Sequence, residues 1–369
     1  MTADALSADR DVIVALIARR WPGARVGAGT LLKAWNRNRV SRWTLTGAPR
    51  SSVVAKRILR DPAQGYNDWA ALAYLADGQL PALAPAFLDG DVQAGLWLMT
   101  DLGSATTLDD ALRAPDRAGA ERAAIAAAAT TGRLHAATAG HGAAFAAYRQ
   151  LLPAAEDLDR LSENHAYHQR VARLHEWFDE LDLEPVEGWL RGVARGAAMA
   201  VLAEPLCCLT HGDWAPSNVI MTADGARLLD FNHAAYRHPF HDRAAWHLVC
   251  PLPTELVARC DAAYFTELAA GMPRSADPAL VAEHWALIGT ARGLDVLSWL
   301  PIAALERDQP WVGEWSVREA MLEVCQRTAA IAEGAAATRP VADTLSDLRG
   351  RLAIRWGNCA RTPPWAALA

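Results

Sequence analysis

The first hundred residues contain short runs in which apolar and polar positions alternate, a pattern typical of β-strands. Polar turn segments separate these runs. Because short turns join neighbouring strands in antiparallel order, the pattern predicts an antiparallel sheet. The predicted strands are residues 29–35, 40–47 and 51–59, followed by two more within residues 84–103.

Helical spacing and helix-forming composition flank and follow these strands. Strands come first in the chain and helices dominate afterwards, which predicts the α+β class. A loose tail is expected from residue 361 onwards. The predicted helices are residues 7–20, 67–76, 121–139 and 145–190, with several more after residue 251.

The stretch from Cys207 to Tyr236 combines two short apolar runs with three spaced polar residues. Asp213 and Asn218 lie in the polar loop, and a predicted hairpin then ends at Asp230. One turn of the chain would therefore bring two carboxylates and an amide together. Such oxygen ligands suit Mg²⁺, and one carboxylate would remain available as a base.

The spacing HGDxxxxN, followed by an apolar strand and DF, resembles the catalytic and metal-binding segments of the aminoglycoside phosphotransferase and choline kinase family. The resemblance implies a two-lobe protein-kinase-like fold. Residues 1–100 would form the N-terminal lobe, with its antiparallel sheet and a helix, and residues 101–369 the larger, mostly helical lobe. Asp213 would orient or deprotonate an acceptor hydroxyl, while Asn218 and Asp230 would bind Mg²⁺.

The resemblance also implies three elements of an ATP site in the first lobe. The VVAK strand would place Lys56 on the α and β phosphates, although a lone lysine at a strand end usually reaches solvent. A helix carboxylate should pair with that lysine, and Asp68 aligns best. Asp68 is one methylene shorter than the usual glutamate, so a plain helix-start aspartate is the alternative. Main-chain groups of a hinge would contact adenine, and these belong to Met99, Thr100 and Asp101.

Several residues depart from the family pattern or refine it. The turn at 36–39 has no glycine, so its arginines either contact phosphates or are solvated. His211 is expected to orient the loop through hydrogen bonds, and Asp242 to brace it. Ala215 stands where protein kinases carry lysine, and Asn232 replaces their glycine after DF, so the predicted acceptor is a small molecule.

Composition and charge narrow the function classes. A chain of 369 residues usually forms two domains or lobes, and 52% hydrophobic residues can build a large core. The net charge of −6 argues against a nucleic-acid partner. The amino terminus carries acids, and no apolar run reaches about 18 residues, which predicts a cytoplasmic protein without a membrane segment. The six cysteines show no zinc or disulfide spacing and are expected to be reduced core thiols.

The acceptor itself is left open by the sequence. Six acids within residues 176–187, flanked by Trp177 and Trp189, could attract a cation, although charge runs are usually solvated. Arg292, Asp295 and Trp299 share one helical face and either line an acceptor pocket or form a core ion pair beside a tryptophan.

The predicted function is transfer of the γ-phosphoryl group of ATP to a hydroxyl of an amino sugar, amino alcohol or related metabolite or antibiotic, with Mg²⁺ as cofactor. GTP is not excluded as the donor. One alternative is a nucleotide-binding, pseudokinase-like protein without phosphotransfer. Another is a zinc enzyme, because four histidines occur within residues 233–247.

Overall fold

The amino-terminal part is a five-stranded antiparallel sheet in a computed structural model of the chain. The spatial order of the strands is β1-β2-β3-β5-β4, and all five predicted strands are present. Their bounds are β1 Arg25–Ala34, β2 Asn38–Thr46, β3 Ser52–Ile58, β4 Phe87–Asp91 and β5 Leu96–Thr100. The structure describes residues 2–78, 80, 82–154, 163–201, 206–357 and 365–368.

Two helices lie on this sheet. Helix α1, Thr2–Arg20, places Ile13 and Ile17 in a core with Trp43 of β2. Helix α2, Pro62–Asp77, begins five residues before the predicted start at residue 67, because Pro62 is favourable in the first helical turn. Asp68 consequently lies inside the helix rather than at its start.

The helical part follows β5. It contains ten helices in the described ranges and a short π-helical segment, Ala245–Val249, that continues α8. The helices are α3 Leu108–Arg113, α4 Arg117–Thr138, α5 Gly142–Gln150, α6 Glu163–Glu180, α7 Trp189–Val201, α8 Phe240–Ala244, α9 Thr254–Gly271, α10 Pro278–Trp299, α11 Val317–Ala332 and α12 Arg339–Trp356.

Small side chains on α4 allow the close packing of α4 against α9. A Cβ atom on Gly132 would lie 2.5 Å from the carbonyl oxygen of Tyr264, so only glycine fits there. Ala124, Ala127 and Ala128 are buried on the same helix. The alanine-rich composition therefore serves close packing as well as helix propensity.

Short strands in the helical part assemble the central polar stretch. They are β6 Thr106–Thr107, β7 Cys208–Thr210, β8 Val219–Thr222, β9 Gly225–Leu228 and β10 Ala235–Arg237. Strands β8 and β9 form the predicted hairpin, with Val219 opposite Leu228. Strand β7 pairs with β10, with Thr210 opposite Ala235. The loop after β7 and the segment before β10 are therefore neighbours.

The chain end and the cysteines test two further predictions. Residues 361–364 lie outside the described residues, but the expectation of a loose tail is wrong for Trp365 and Leu368, which are buried in the main core. Hydrophobic burial of the large indole outweighs the polar sequence before it. The five described cysteines are buried free thiols, as predicted, and Cys359 lies outside the described residues.

The boundary between residues 100 and 101 stays a prediction. It coincides with the end of β5, while one hydrophobic core extends across it from Val54 and Met99 to Leu228. Within the described ranges, no helix combines the length and hydrophobicity needed to cross a bilayer.

Candidate active site

A cavity of about 310 Å³ lies between the sheet and the β8–β9 hairpin, and we call it the large cavity. Strand register explains its lining, because residues paired across antiparallel strands point to the same face. Lys33 pairs with Val40 and Val40 with Lys56, and all three line the cavity. Its other lining residues include the apolar Leu32, Val54, Leu72, Met99, Ile220 and Leu229 and the polar Arg42, Asp68, Asn218 and Asp230.

Lys56, Asp68 and Asp230 form a buried ion network in this cavity. The Lys56 ammonium lies 2.6 Å from Oδ2 of Asp68 and 2.7 Å from Oδ1 of Asp230. Lys56 is only 3% exposed, so water competes little with these contacts. The ion pair expected between Lys56 and Asp68 is therefore present despite the shorter acid.

The buried charges in this network shift one another's pKa values. Burial raises the pKa of Asp68 above its ordinary value against the opposing charge of Lys56, and Asp230 adds to the rise. Burial by itself would lower the pKa of Lys56, but the carboxylates of Asp68 and Asp230 raise that pKa above its ordinary value. Burial would raise the pKa of Asp230, whereas Lys56 holds it below its usual range. Lys56 is therefore a cation and Asp230 an anion at neutral pH, as phosphate and metal binding would require.

Helix α2 fixes the segment around Asp230. Asp230 has φ 66° and ψ 64°, a left-handed conformation that costs a residue other than glycine roughly 1–3 kcal/mol. Asp68 Oδ1 accepts the Phe231 N–H at 2.8 Å. Asn67 Nδ2 donates to the carbonyl oxygen of Ala234 at 2.5 Å. These contacts offset the backbone strain and fix the direction of the Asp230 carboxylate.

Asp213 and Asn218 touch each other. Asn218 Nδ2 donates to the main-chain oxygen of Asp213 at 3.0 Å and approaches its Oδ2 at 3.4 Å. Asn218 is buried, while the Asp213 side chain is exposed. The loop therefore holds an amide inward and presents a carboxylate outward.

His211 orients this loop, as expected. Its Nε2 lies 2.6 Å from the carbonyl oxygen of Leu229, and its Nδ1 accepts the Asp213 N–H at 3.3 Å. Since a carbonyl can only accept, these two bonds require the neutral tautomer with hydrogen on Nε2. The ring thus ties the loop to the end of the β8–β9 hairpin.

Asp242 also holds this loop in place. Its two carboxylate oxygens accept the N–H groups of His211 at 2.6 Å and Gly212 at 2.9 Å, and His135 Nε2 lies 3.0 Å away. A Cβ atom on Gly212 would lie 1.9 Å from the carbonyl oxygen of His233, so glycine is required. The bracing role expected for Asp242 is present in the structure.

This brace predicts a pH dependence of stability. Burial would raise the pKa of Asp242, but hydrogen bonds from His135 and His241 hold it well below its usual range. A depressed folded-state pKa stabilises the protein above the unfolded value of about 3.9 and ceases to do so as pH falls further. We expect urea unfolding to show a free energy that declines below about pH 5. The variant Asp242→Asn should be less stable near neutrality and show a smaller decline, and equal slopes would contradict the assignment.

The oxygen donors at the junction fit Mg²⁺. Asn218 and Asp230 both line the large cavity and offer only carboxylate and amide oxygens as ligands. No group of three or more His, Cys, Asp or Glu side chains among the described residues is placed to hold a metal ion of any kind, including the zinc considered for the four histidines. Three of the four histidines are bonded elsewhere: His238 to His284, His241 to Asp242 and His247 to Asp261.

The segment proposed as a hinge lies at the cavity edge. Met99, Thr100 and Asp101 all line the large cavity. The Thr100 N–H already donates to the Ala86 carbonyl at 2.9 Å, so an adenine contact would use other main-chain groups. The Asp101 carboxylate accepts hydrogen bonds from Arg42 and Ser52, which fasten this segment to β2 and β3.

Lys33, rather than the arginines of the turn at residues 36–39, is an additional cation at the large cavity. Arg37 donates to Gln64 at 2.7 Å, and Arg39 pairs with Asp9 at 2.8 Å. Neither arginine lines the cavity, whereas Lys33 does. Lys33 also contributes to lowering the pKa of Asp230, after the larger effects of burial and Lys56. The register of β1 against β2 in the structure places Lys33 at the cavity, and nothing in the sequence of the turn indicates this position.

A second, small cavity opens next to Asp213. Its lining includes Trp214, Arg292 and Trp299. Arg292 forms an ion pair with Asp295 and lies 5.6 Å from the Trp299 ring, so the pair and the pocket lining, which were separate alternatives, occur together.

The acidic run does not lie at either cavity. The six acids within residues 176–187 are exposed, and none lines the large or the small cavity. Trp177 and Trp189 are buried in a core with α10 and α11 rather than placed to stack on a ligand. The structure therefore favours a solvated face for this run.

The sheet, the helical part and the junction site together define a kinase-like two-lobe fold. A sequence profile of the phosphotransferase enzyme family (APH) matches residues 33–279. The chain belongs to this family. A comparison with curated proteins finds no match of significance.

Several solved structures are similar to this chain at low sequence identity. A choline kinase from Streptococcus pneumoniae is 13% identical, with a TM-score of 0.43 over 89% of this chain and 98% of that one. A macrolide 2'-phosphotransferase from Brachybacterium faecium is 19% identical, with a TM-score of 0.45 over 92% and 97%. An ADP-bound aminoglycoside phosphotransferase is 13% identical, with a TM-score of 0.48 over 92% and 99%. The family assignment rests on the sequence profile alone.

Proposed function

We propose that this phosphotransferase moves the γ-phosphoryl group of ATP to a hydroxyl group of a small molecule. The observation that carries the proposal is the contact between Asp213 and Asn218. Asn218 lines the large cavity and Asp213 the small one, so a donor and an acceptor would meet at this pair. Residues 1–100 would contribute most of the donor site, and residues 101–369 the acceptor site and the base.

The large cavity suits a nucleotide. Its apolar residues would enclose the base beside the hinge, and Lys56 would bind the α and β phosphates. Asn218 and Asp230 would hold Mg²⁺, which when bound neutralises charge on the β and γ phosphates. Asp68 would keep Lys56 in place through their ion pair.

The reaction would follow from these positions. The acceptor oxygen bonds to the γ-phosphorus while the bond from that phosphorus to the bridging oxygen breaks. The electron pair leaves with ADP, and the hydroxyl proton passes to Asp213. The side chain of Asp213 is exposed to the small cavity and can reach an incoming hydroxyl without displacing its neighbours.

A transfer screen tests the proposal. Purified protein is incubated with Mg²⁺ and ATP or GTP across amino sugars, amino alcohols and other hydroxyl metabolites, and mass spectrometry reports phosphorylated products. Asp213-dependent transfer would support the proposal. Nucleotide binding without any Asp213-dependent transfer would favour the pseudokinase-like alternative, which the glycine-free turn at residues 36–39 also favours.

Lys33 should assist phosphate binding in place of a glycine-rich turn. Its ammonium lies 5.3 Å from the Trp35 ring, on the cavity side of β1. We expect Lys33→Met to weaken ATP binding roughly threefold to tenfold and AMP binding much less, because the lost contact is with the outer phosphates. Calorimetric titrations with both nucleotides provide the measurement.

The matched control for Lys33 is Arg37→Met, which removes a cation from the same hairpin but not from the cavity. This control should bind both nucleotides as the wild type does, and Lys33→Arg should restore most of the ATP affinity. Equal losses for ATP and AMP in Lys33→Met would contradict the phosphate role.

A further inference from the structure

One wall of the small cavity is formed by α10, next to Asp213. Arg292, Asp295 and Trp299 are three and four residues apart and therefore lie on one face of this helix. Arg292 and Trp299 line the cavity together with Asp213, whereas Asp295 does not. The wall that faces an acceptor thus contains a guanidinium and an indole.

Among the described residues, the small cavity is lined by one cation, Arg292, and by the acids Asp213 and Asp242. The side chain of Arg292 is 12% exposed, whereas that of its partner Asp295 is 2% exposed. Asp242 also borders the cavity, but its oxygens are occupied by two main-chain N–H groups. Apart from Asp213 itself, the accessible charged group among the described lining residues is therefore Arg292.

Arg292 retains hydrogen-bonding capacity. Its Nη1 donates to Asp295, while its Nε is buried and has no hydrogen-bond partner among the described residues. A guanidinium offers a planar pair of donors that matches a carboxylate. Because Nε is buried, a carboxylate would pair with the guanidinium through the exposed part of the side chain.

The indole of Trp299 is not placed to bind an ammonium group of a ligand. Arg292 already occupies the position of a cation beside this ring, at 5.6 Å from its centroid. A second cation would be repelled by the guanidinium. The ring is 37% exposed and could instead cover a flat, uncharged part of an acceptor.

Two further basic side chains, His241 and Arg237, lie near Arg292. Burial, and then the charges of Arg237 and Arg292, lowers the pKa of His241, which is therefore neutral. Arg237 itself is buried close behind the loop and donates to Thr210. No ionised acid other than Asp213 and Asp242 lines the cavity among the described residues.

We propose that the acceptor of this phosphotransferase carries a carboxylate, which pairs with Arg292 beside Trp299 while the acceptor hydroxyl faces Asp213. The inference rests on the proposed transfer reaction and narrows the acceptor from hydroxyl compounds in general to hydroxy acids.

Two series of matched acceptors test the inference. One contains para-hydroxymethyl benzoate, the corresponding benzamide and the corresponding benzylamine, and the other contains hydroxypropanoate, propanediol and aminopropanol. Members of a series share an acceptor hydroxyl and differ in the second group, which is a carboxylate, a neutral amide or hydroxyl, or an ammonium. We expect kcat/KM for the carboxylate to exceed that for the ammonium at least about tenfold. Equal values, absence of reaction with all three, or preference for the ammonium would overturn the inference.

Variants test whether Arg292 and Trp299 cause the preference for a carboxylate. The double variant Arg292→Met with Asp295→Asn removes both charges, so no unpaired buried acid remains, and it should abolish the carboxylate preference while leaving the KM for ATP unchanged. Trp299→Leu should affect the aromatic series more than the aliphatic one. Arg259→Met, an exposed arginine paired with Glu121, is the matched control and should keep the preference. A preference that survives in the double variant would also overturn the inference.

The proposed phosphotransfer and the proposed acceptor class are tested by separate measurements. Asp213-dependent formation of ADP from ATP, with any hydroxyl compound or with water, reports on phosphotransfer itself. The order of reactivity within each series reports on the acceptor class. ADP formation without a carboxylate preference would remove the inference and leave the proposed function in place.

Discussion

Replacing Asp213 by asparagine should lower the turnover of phosphoryl transfer by at least about 100-fold while leaving the affinity for the magnesium nucleotide nearly unchanged. Asparagine has almost the same shape as aspartate but cannot take up the proton of the acceptor hydroxyl. Its side-chain oxygen can keep the weak contact with Asn218 Nδ2, so the donor side of the site should stay intact. The expected effect is therefore on kcat rather than on nucleotide binding.

The measurement combines the rate of ADP release with calorimetric titration of ADP in the presence of Mg²⁺. Asp224→Asn is the matched control, because Asp224 is an exposed acid in the turn of the adjacent β8–β9 hairpin and lines neither cavity. The control should resemble the wild type in both assays. A turnover within about threefold of the wild type for Asp213→Asn would exclude Asp213 as the base.

The site depends on contacts between elements that are distant in the chain. Asp242 holds the loop that carries Asp213, and Asp68 of α2 holds both Lys56 and the segment of Asp230. A polar network of this kind gives the site one arrangement, since each buried group loses a partner if another moves. Positioning would then be established before any ligand binds.

Short-range sequence patterns predicted the elements that short-range forces determine. The β8–β9 hairpin and the loop of Asp213 follow from local turn and strand signals, and the structure confirms their arrangement. The carboxylate partner of Lys56 was also identified correctly, because helix and strand are adjacent in the sequence.

Irregular strand register and contacts between distant segments were not predictable in the same way. Strands β1 and β2 pair with an irregularity between Leu31 and Lys33, and a shift of one residue moves every side chain to the opposite face. Lys33 therefore could not be assigned to the cavity from its sequence alone. His135 meets Asp242 across 107 positions of the chain, and no local pattern signals such a contact.

Replacing Asp230 by asparagine should remove most of the Mg²⁺ dependence of nucleotide binding. In the absence of Mg²⁺, the variant should bind ADP about as well as the wild type, whereas Mg²⁺ should no longer improve affinity by the tenfold or more expected of a site with an intact carboxylate. Calorimetric titrations of ADP with Mg²⁺ and with a chelator provide the measurement, and Asp224→Asn is again the control.

Asparagine is a sharper replacement for Asp230 than alanine. The residue has a left-handed backbone, which asparagine tolerates and alanine does not, so asparagine removes the charge without also releasing the segment that α2 holds. Lys56 would keep its ion pair with Asp68 and remain protonated. If Mg²⁺ still improved ADP binding to Asp230→Asn as much as to the wild type, Asp230 would not be a metal ligand. Loss of ADP binding with and without Mg²⁺ would instead show that its charge mainly positions Lys56.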